Sequence, residues 1–93
     1  MQRHRGSRAA LRSPEELFGV ALREVRLQRG LSQETVAFKS GYDTSYIGQI
    51  ERGRKSPSLR TIVSVASVLD VLPSELLRRI EGSIAVARHG KSR

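Results

Sequence analysis

The sequence predicts an all-α protein, a compact five-helix bundle, from three observations. Ninety-three residues are enough for one small hydrophobic core but not for two. Apolar residues recur three and four positions apart through most of the chain, which is the period of an amphipathic helix. Serine or aspartate caps and glycine stops divide this pattern into five segments. Because the chain has no cysteine, disulfides and thiolate metal sites are excluded, and packing must stabilise the fold.

The first helix is predicted over residues 14–29. Ser13 is a typical N-cap, followed by proline at the first helical position and by Glu16, which completes a capping box. An apolar residue then recurs every four positions and gives the helix one buried face. Gly30 supplies the left-handed residue that ends it.

The second and third helices are short and close together. Ser32 caps the second helix, which is predicted to end near Ser40, and Gly41 permits a tight turn. Asp43 caps the third helix, predicted over residues 44–52. Two short helices joined by a glycine-containing turn form the helix-turn-helix arrangement.

The fourth helix follows the N-cap Ser58. Its sequence TIVSVASVL is rich in β-branched residues, whose propensity alone favours a strand. The cap and the spacing of three and four favour a helix instead. The predicted buried face consists of Leu59, Ile62, Val63, Ala66 and Leu69.

The fifth helix is predicted to begin at Pro73 and to fade at Gly82. The chain is thereby divided into a basic and flexible N-terminal arm, residues 1–12, a helix-turn-helix domain, residues 13–81, and a basic, loosely ordered C-terminal tail, residues 82–93.

The net charge of +8 indicates an acidic polymer as partner, most commonly nucleic acid. All nine acidic residues fall between Glu15 and Glu81, where they nearly balance the basic ones, so most of the excess lies in the two tails. Basic tails are also common as solubilising segments, and charge alone therefore does not decide the partner. No apolar run reaches the length of a membrane span, and the N-terminus lacks the apolar part of a signal peptide. We expect a soluble cytoplasmic protein.

The sequence contains no recognisable catalytic or metal-binding set. The carboxylates are scattered along predicted helical surfaces, and His4 and His89 lie near opposite ends of the chain. No glycine-rich loop has the spacing that cradles a phosphate. We therefore expect neither an enzyme nor a bound metal or cofactor.

The third predicted helix has a polar side that suits the major groove of DNA. Its hydroxyl and amide side chains match the donors and acceptors on base edges, and the arginine at its end suits a phosphate. Gly48, in its middle, lowers helix propensity and suggests a close approach of the helix backbone to the groove. Any surface helix has a polar face, so this helix alone does not establish DNA binding. The polar residues are Thr44, Ser45, Gly48, Gln49 and Arg52.

Phosphate-binding residues flank this helix on both sides. Gln33 opens the second helix, whose N-terminal amides suit a phosphate. Arg52, Arg54 and Lys55 follow the third helix. A solvated helix face needs no such flanking anchors, so their presence favours DNA.

The segments GLSQE, SYIGQIERG and the later PSL resemble the lambda-repressor/Cro-like helix-turn-helix regulators, the XRE family. The resemblance covers residues 22–77, and AFKSGYDTSYIGQIERG is also similar to restriction–modification controller proteins. It implies a five-helix fold and a homodimer that binds a pseudo-palindromic operator in double-stranded DNA.

The resemblance also implies roles for individual residues. Thr44, Ser45 and Gln49 would face bases, with Tyr46 near the backbone or a base edge. Gln33 would contact a phosphate or brace the third helix, and the residues near phosphates would be Ser32, Arg52, Arg54 and Lys55.

Further implied roles are structural. Arg26 and Glu51 would form a buried or half-buried ion pair between the first and third helices, or would be two solvated surface charges. Leu76, Leu77 and Ile80 would form a dimer interface, or would only close the monomer core. The N-terminal arm would cross phosphates or the minor groove, or would be only a solubilising tail.

The predicted function is that of a sequence-specific transcriptional regulator, controlling its own promoter. One alternative is an antitoxin-type repressor that also binds a toxin protein. A third reading, a basic module for RNA or anionic membranes, requires exposed aromatic residues or a strongly amphipathic terminal helix. The four aromatic residues fall mostly at predicted core or turn positions, which does not favour it.

Overall fold

A computed structural model of the chain describes residues 12–92, and within residues 83–92 it describes only the backbone. This part of the chain contains five α-helices and no strand, which confirms the predicted all-α fold. The helices are α1 (Pro14–Gln28), α2 (Gln33–Ser40), α3 (Thr44–Glu51), α4 (Leu59–Leu69) and α5 (Pro73–Ser92).

Local capping explains where the helices begin. The hydroxyls of Ser13, Ser32 and Ser58 each accept a hydrogen bond from the backbone N–H three residues later, which satisfies one of the unpaired amides at a helix start. Ser13 also forms the predicted capping box. Asp43 occupies the N-cap position of α3 without a side-chain hydrogen bond. The turn between α2 and α3 depends on Gly41, whose φ of 83° is left-handed.

The hydrophobic core lies between all five helices. α1 packs against α3 and α5, α2 packs against α3 and α4, and α4 packs against α5. The side chains that are least exposed come from every helix, so each helix is fixed by burial of one face. Those that are almost fully buried are Leu22, Val36, Ile47, Ile50, Val65, Leu69 and Leu76.

The orientation of α4 differs from the prediction. Leu59 and Val63, predicted to be buried, are 76% and 48% exposed, whereas Thr61 and Val65 are buried instead. Apolar residues occur on more than one side of this helix, so their period predicts a helix but does not fix which side faces the core. The exposed pair leaves an apolar surface, which is considered below.

The fifth helix is longer than predicted. It continues to Ser92 through the segment that was expected to be loosely ordered. Gly82 does not have a positive φ, so it remains helical, and a single glycine inside a helix costs only about 1 kcal/mol relative to alanine. The predicted arm, residues 1–12, lies outside the described residues except for Arg12. Among the helices described, none has the length and mean hydropathy needed to cross a membrane.

Candidate nucleic-acid interface

Two isoleucines of the predicted recognition helix, α3, pack in the hydrophobic core. Ile47 and Ile50 are fully buried, and they hold one side of the helix against the core. Thr44 and Ser45 are exposed, and Gln49 is half-buried. The three residues expected to read bases therefore lie on the outer side of α3, where a DNA groove is accessible.

The predicted ion pair between the first and third helices is present. Arg26 donates from Nε to Oε2 of Glu51 at 2.6 Å and from Nη2 to Oε1 at 3.0 Å. Its Nη1 donates to the carbonyl oxygen of Leu31 at 2.8 Å. Only 8% of the Arg26 side chain and 2% of the Glu51 side chain are exposed. A bidentate pair of this kind fixes both position and angle, so α3 is held on α1.

Gln33 contacts the same carboxylate from the start of α2. Its Nε2 donates to Glu51 Oε1 at 2.9 Å. Of the two roles considered for Gln33, bracing of the recognition helix is therefore visible in the structure. The neighbouring Ser32 is exposed, and its hydroxyl caps α2 through the backbone N–H of Thr35 at 3.0 Å. Both residues lie at the N-terminus of α2, where the helix dipole favours an anion.

Gly48 lies beneath the side chain of Arg52. A Cβ atom at Gly48 would lie 3.1 Å from Arg52 Nη1 and 3.7 Å from Gln33 Oε1. Arg52 is one turn further along the helix, and long helical side chains point back towards the N-terminus. Because Gly48 has no side chain, the guanidinium of Arg52 has room at this position. Arg52 and Gln33, both predicted to contact phosphates, lie beside it.

The remaining basic anchors follow α3 in a loop. Arg54 and Lys55 are exposed, which places their charges in solvent. The chain turns at Gly53, with φ of 72°, and a Cβ there would lie 2.6 Å from Cγ of Glu16. This close packing on the start of α1 fixes the beginning of the loop that carries the basic residues.

The side chain of Tyr46 contacts other residues of the protein. It is half-buried, its hydroxyl lies 3.1 Å from Thr61 Oγ1, and its ring lies 5.1 Å from the ring of Tyr42. The sequence did not predict the contact with Thr61, because threonine within an apolar run gives no sign of a distant hydroxyl partner.

Gly19 has a packing role that was not predicted from the sequence. A Cβ at this position of α1 would lie 2.5 Å from the carbonyl oxygen of Ile50 and 2.4 Å from that of Glu51. Gly19 is therefore the point where the backbone of α1 approaches the end of α3. A glycine within an otherwise strong helix pattern was the available signal.

The three residues predicted for a dimer interface do not share one surface. Leu76 is fully buried and belongs to the monomer core, Ile80 is 8% exposed, and Leu77 is 41% exposed. Leu77 and Ile80 line a groove together with Phe18 and Ile62. Leu76 therefore packs in the core of its own chain, and of the three residues Leu77 is the most exposed.

Two remaining findings concern other kinds of function. Among the side chains that the structure describes, those of residues 12–82, no group of three metal-binding residues is arranged to hold a metal ion. Of the four aromatic residues, Phe38 is 85% exposed on α2. One exposed aromatic residue does not form the series of stacking surfaces that single-stranded nucleic acid requires.

The fold and the sequence were compared with known proteins. The family profile that matches residues 22–76 is described as helix-turn-helix. The chain is 40% identical over 62 residues to the control protein C.BamHI of Bacillus amyloliquefaciens, a match that covers 66% of this chain and 76% of that protein.

Solved structures similar to this one include a controller protein and a gene regulator. The restriction-modification controller protein C.AhdI of Aeromonas hydrophila is 52% identical, with a TM-score of 0.64 over 66% of this chain and 92% of that one. The clp gene regulator ClgR of Corynebacterium glutamicum is 29% identical, with a TM-score of 0.76 over 86% of this chain and 85% of that one. With a family profile that matches more than half of its residues, and with relatives that are named as controllers and regulators, the chain belongs to the helix-turn-helix family of the XRE type.

Proposed function

We propose that this chain is a sequence-specific double-stranded DNA-binding transcriptional regulator, which binds a pseudo-palindromic operator as a homodimer and controls its own promoter in the cytoplasm. The observation that carries the proposal is the outward polar side of α3. The side chains of Thr44, Ser45 and Gln49 lie on the outer side of α3. A buried ion pair fixes the inner side of the same helix. Controller and regulator names among its relatives support the same function.

In this proposal, α3 enters the major groove and the flanking residues bind the two phosphate backbones. Gln49 suits base edges because its amide both donates and accepts, and adenine is the base that such an amide reads best. Arg52, Arg54 and Lys55 are exposed beyond the end of α3 and provide cations for phosphates. The amides at the start of α2 provide a further phosphate contact. Tyr46 would contribute through its exposed part only.

The homodimer is proposed to form through α4 and α5. Leu59, Val63 and Leu77 are exposed apolar residues, and Ile62 on the same part of α4 lines the groove that contains Leu77. Exposed apolar side chains on neighbouring helices are typical of protein interfaces when they form one surface. Two copies related by a twofold axis would present two α3 helices to half-sites about 34 Å apart.

Binding to DNA tests the proposal directly. The protein is mixed with a randomised duplex pool, and the recovered duplex is compared with a scrambled duplex of equal length and composition. Specific binding should exceed nonspecific binding by ~10³ or more at one salt concentration. Equal affinity for both duplexes would refute sequence-specific binding. DNA from upstream of the protein's own coding sequence, used as a third probe, tests autoregulation.

Two variants separate base reading from phosphate binding. Gln49→Ala should change the ranking of operator variants, whereas Arg54→Ala should weaken all duplexes and reduce the salt slope by about 1. Arg23→Ala removes an equal charge from the exposed side of α1 and is the matched control. An unchanged ranking with Gln49→Ala would show that this residue does not read bases.

A further inference from the structure

The Thr61 hydroxyl lies within hydrogen-bond distance of three other hydroxyls. We call these four groups, from Tyr42, Tyr46, Ser58 and Thr61, the hydroxyl cluster. Thr61 is 2% exposed, and its Oγ1 lies 2.9 Å from Ser58 Oγ, 3.1 Å from the Tyr46 hydroxyl and 3.2 Å from the Tyr42 hydroxyl. A hydroxyl has one proton and two acceptor lone pairs, so three partners use its full capacity. The proposed function above assigns no role to this buried oxygen.

The hydroxyl cluster joins segments with different proposed tasks. Tyr42 lies in the turn before α3, and Tyr46 lies in the first turn of α3. Ser58 is the N-cap of α4 and ends the loop that carries Arg54 and Lys55. One buried oxygen therefore connects the base-reading helix with the loop of phosphate anchors.

We propose that Thr61 is a positioning residue for DNA binding, which fixes the geometry between α3 and the basic loop that follows it. The inference rests on the proposed function and adds a residue to it. Apolar packing alone tolerates small shifts between elements, whereas hydrogen bonds fix distance and direction. A loop that is fixed before binding does not have to be ordered by the DNA, and this preorganisation increases affinity.

A role in stability alone predicts something different. The hydroxyl cluster would then satisfy buried polar groups, and its loss would lower the free energy of unfolding. The affinity of the folded molecules for DNA would not change. Affinity measured under conditions in which every variant is folded therefore distinguishes positioning from stability.

The experiment compares four proteins with the wild type: Thr61→Val, Thr61→Ser, Tyr46→Phe and the double variant Thr61→Val/Tyr46→Phe. Valine has nearly the shape of threonine without its hydroxyl, whereas serine keeps the hydroxyl. The probes are the duplex that the wild type selects from a randomised pool and its scrambled counterpart. Circular dichroism sets a temperature at which each variant is folded, and dissociation constants are measured there.

We expect Thr61→Val to bind the selected duplex about fivefold more weakly, the factor that corresponds to one hydrogen bond. Thr61→Ser should bind like the wild type. Tyr46→Phe should also bind more weakly, and the double variant should be no weaker than Thr61→Val, because both changes break one cluster.

Several results would overturn the inference. Wild-type affinity in Thr61→Val, with only a lower melting temperature, would leave a role in stability alone. Equal losses in the valine and serine variants would show that the hydroxyl alone does not preserve affinity, so that the packing of the whole side chain is responsible. Additive losses with Tyr46→Phe would make the tyrosine an independent contact. If Thr61→Val does not fold, wild-type affinity in Tyr46→Phe would contradict the positioning role in its place. Failure of the wild type to distinguish the two duplexes would instead refute the proposed function.

Discussion

The carboxylate of Glu51 joins three helices at one buried point. Arg26 approaches it from α1 with two hydrogen bonds, and Gln33 approaches it from α2 with one. Both oxygens therefore have charged or polar donors, which offsets the cost of taking the charge out of water. The position of α3, and with it the polar side that would meet DNA, depends on this carboxylate.

Glu51→Ala is expected to lower the free energy of unfolding by about 3–5 kcal/mol, because it leaves Arg26 as an unpaired buried charge. Chemical denaturation measures the change. The control is Glu24→Ala, since Glu24 pairs with Arg79 at 3.3 Å on an exposed surface, where a loss of no more than about 1 kcal/mol is typical. Equal melting temperatures for Glu51→Ala and the wild type would contradict the structural role of the pair.

Gly48→Ala is expected to raise stability and to weaken DNA binding. Alanine gains up to about 1 kcal/mol of helix propensity, and the atom nearest to the new Cβ is the flexible end of Arg52 at 3.1 Å. That guanidinium must then shift slightly to clear the new Cβ, and we expect the displacement of this proposed phosphate contact to reduce affinity for the selected duplex. Denaturation and binding assays measure the two effects.

The same binding assay in an Arg52→Ala background is the control for Gly48→Ala. If Gly48 acts through Arg52, the loss of affinity disappears when the guanidinium is absent. A loss of equal size in both backgrounds would instead support direct contact between the helix backbone and the groove.

At the scale of the helices, the contact between α1 and α3 depends on a glycine. The carbonyl oxygens of Ile50 and Glu51 lie so close to Gly19 that a Cβ there would be within 2.5 Å of both. Backbone atoms cannot rotate away as a side chain does, so the two helices would have to separate. The crossing also brings α1 near the ion pair, because Glu51 belongs to both contacts.

Gly19→Ala should therefore destabilise the protein by about 1–3 kcal/mol, since overpacking outweighs the gain in helix propensity. Gly82→Ala is the matched control. It is the same change in a helix, where the described residues place no atom outside the nearby helix backbone within 4 Å of the new Cβ, and it should be neutral or stabilising. Thermal or chemical denaturation of the two variants, compared with the wild type, tests the assignment. The helix crossing would need another explanation if both variants were equally stabilised.

The helices differ in how well the sequence predicts them. Caps and stops act within a few residues, and the predicted ranges 14–29 and 44–52 differ from α1 and α3 by one residue at the end of each. The buried side of α3, with Ile47 and Ile50, also follows from its period. Thr61 and Gly19 were not predicted, because their contacts come from distant segments that only the packed fold brings together.

At the scale of the whole molecule, three apolar side chains of α4 and α5 remain substantially exposed to solvent. Leu59 is 76% exposed, Val63 is 48% exposed and Leu77 is 41% exposed. Leu77 also lines the groove between α1, α4 and α5. A twofold axis at this surface would bury the apolar side chains of both copies and would fix the spacing of their two α3 helices. Dimerisation and operator spacing are therefore expected to depend on the same residues.

Val63→Glu and Leu77→Glu are expected to convert the dimer to monomers and to weaken operator binding. Each change would place a carboxylate in an apolar interface, where an unpaired charge is poorly tolerated. Sedimentation velocity measures the oligomeric state, and binding to one and two half-sites measures the consequence. Leu72→Glu is the control, because Leu72 is 64% exposed beside a different pocket. A wild type that is monomeric while it binds the full operator would contradict the homodimer. Dimers that survive both substitutions would place the interface elsewhere on the molecule.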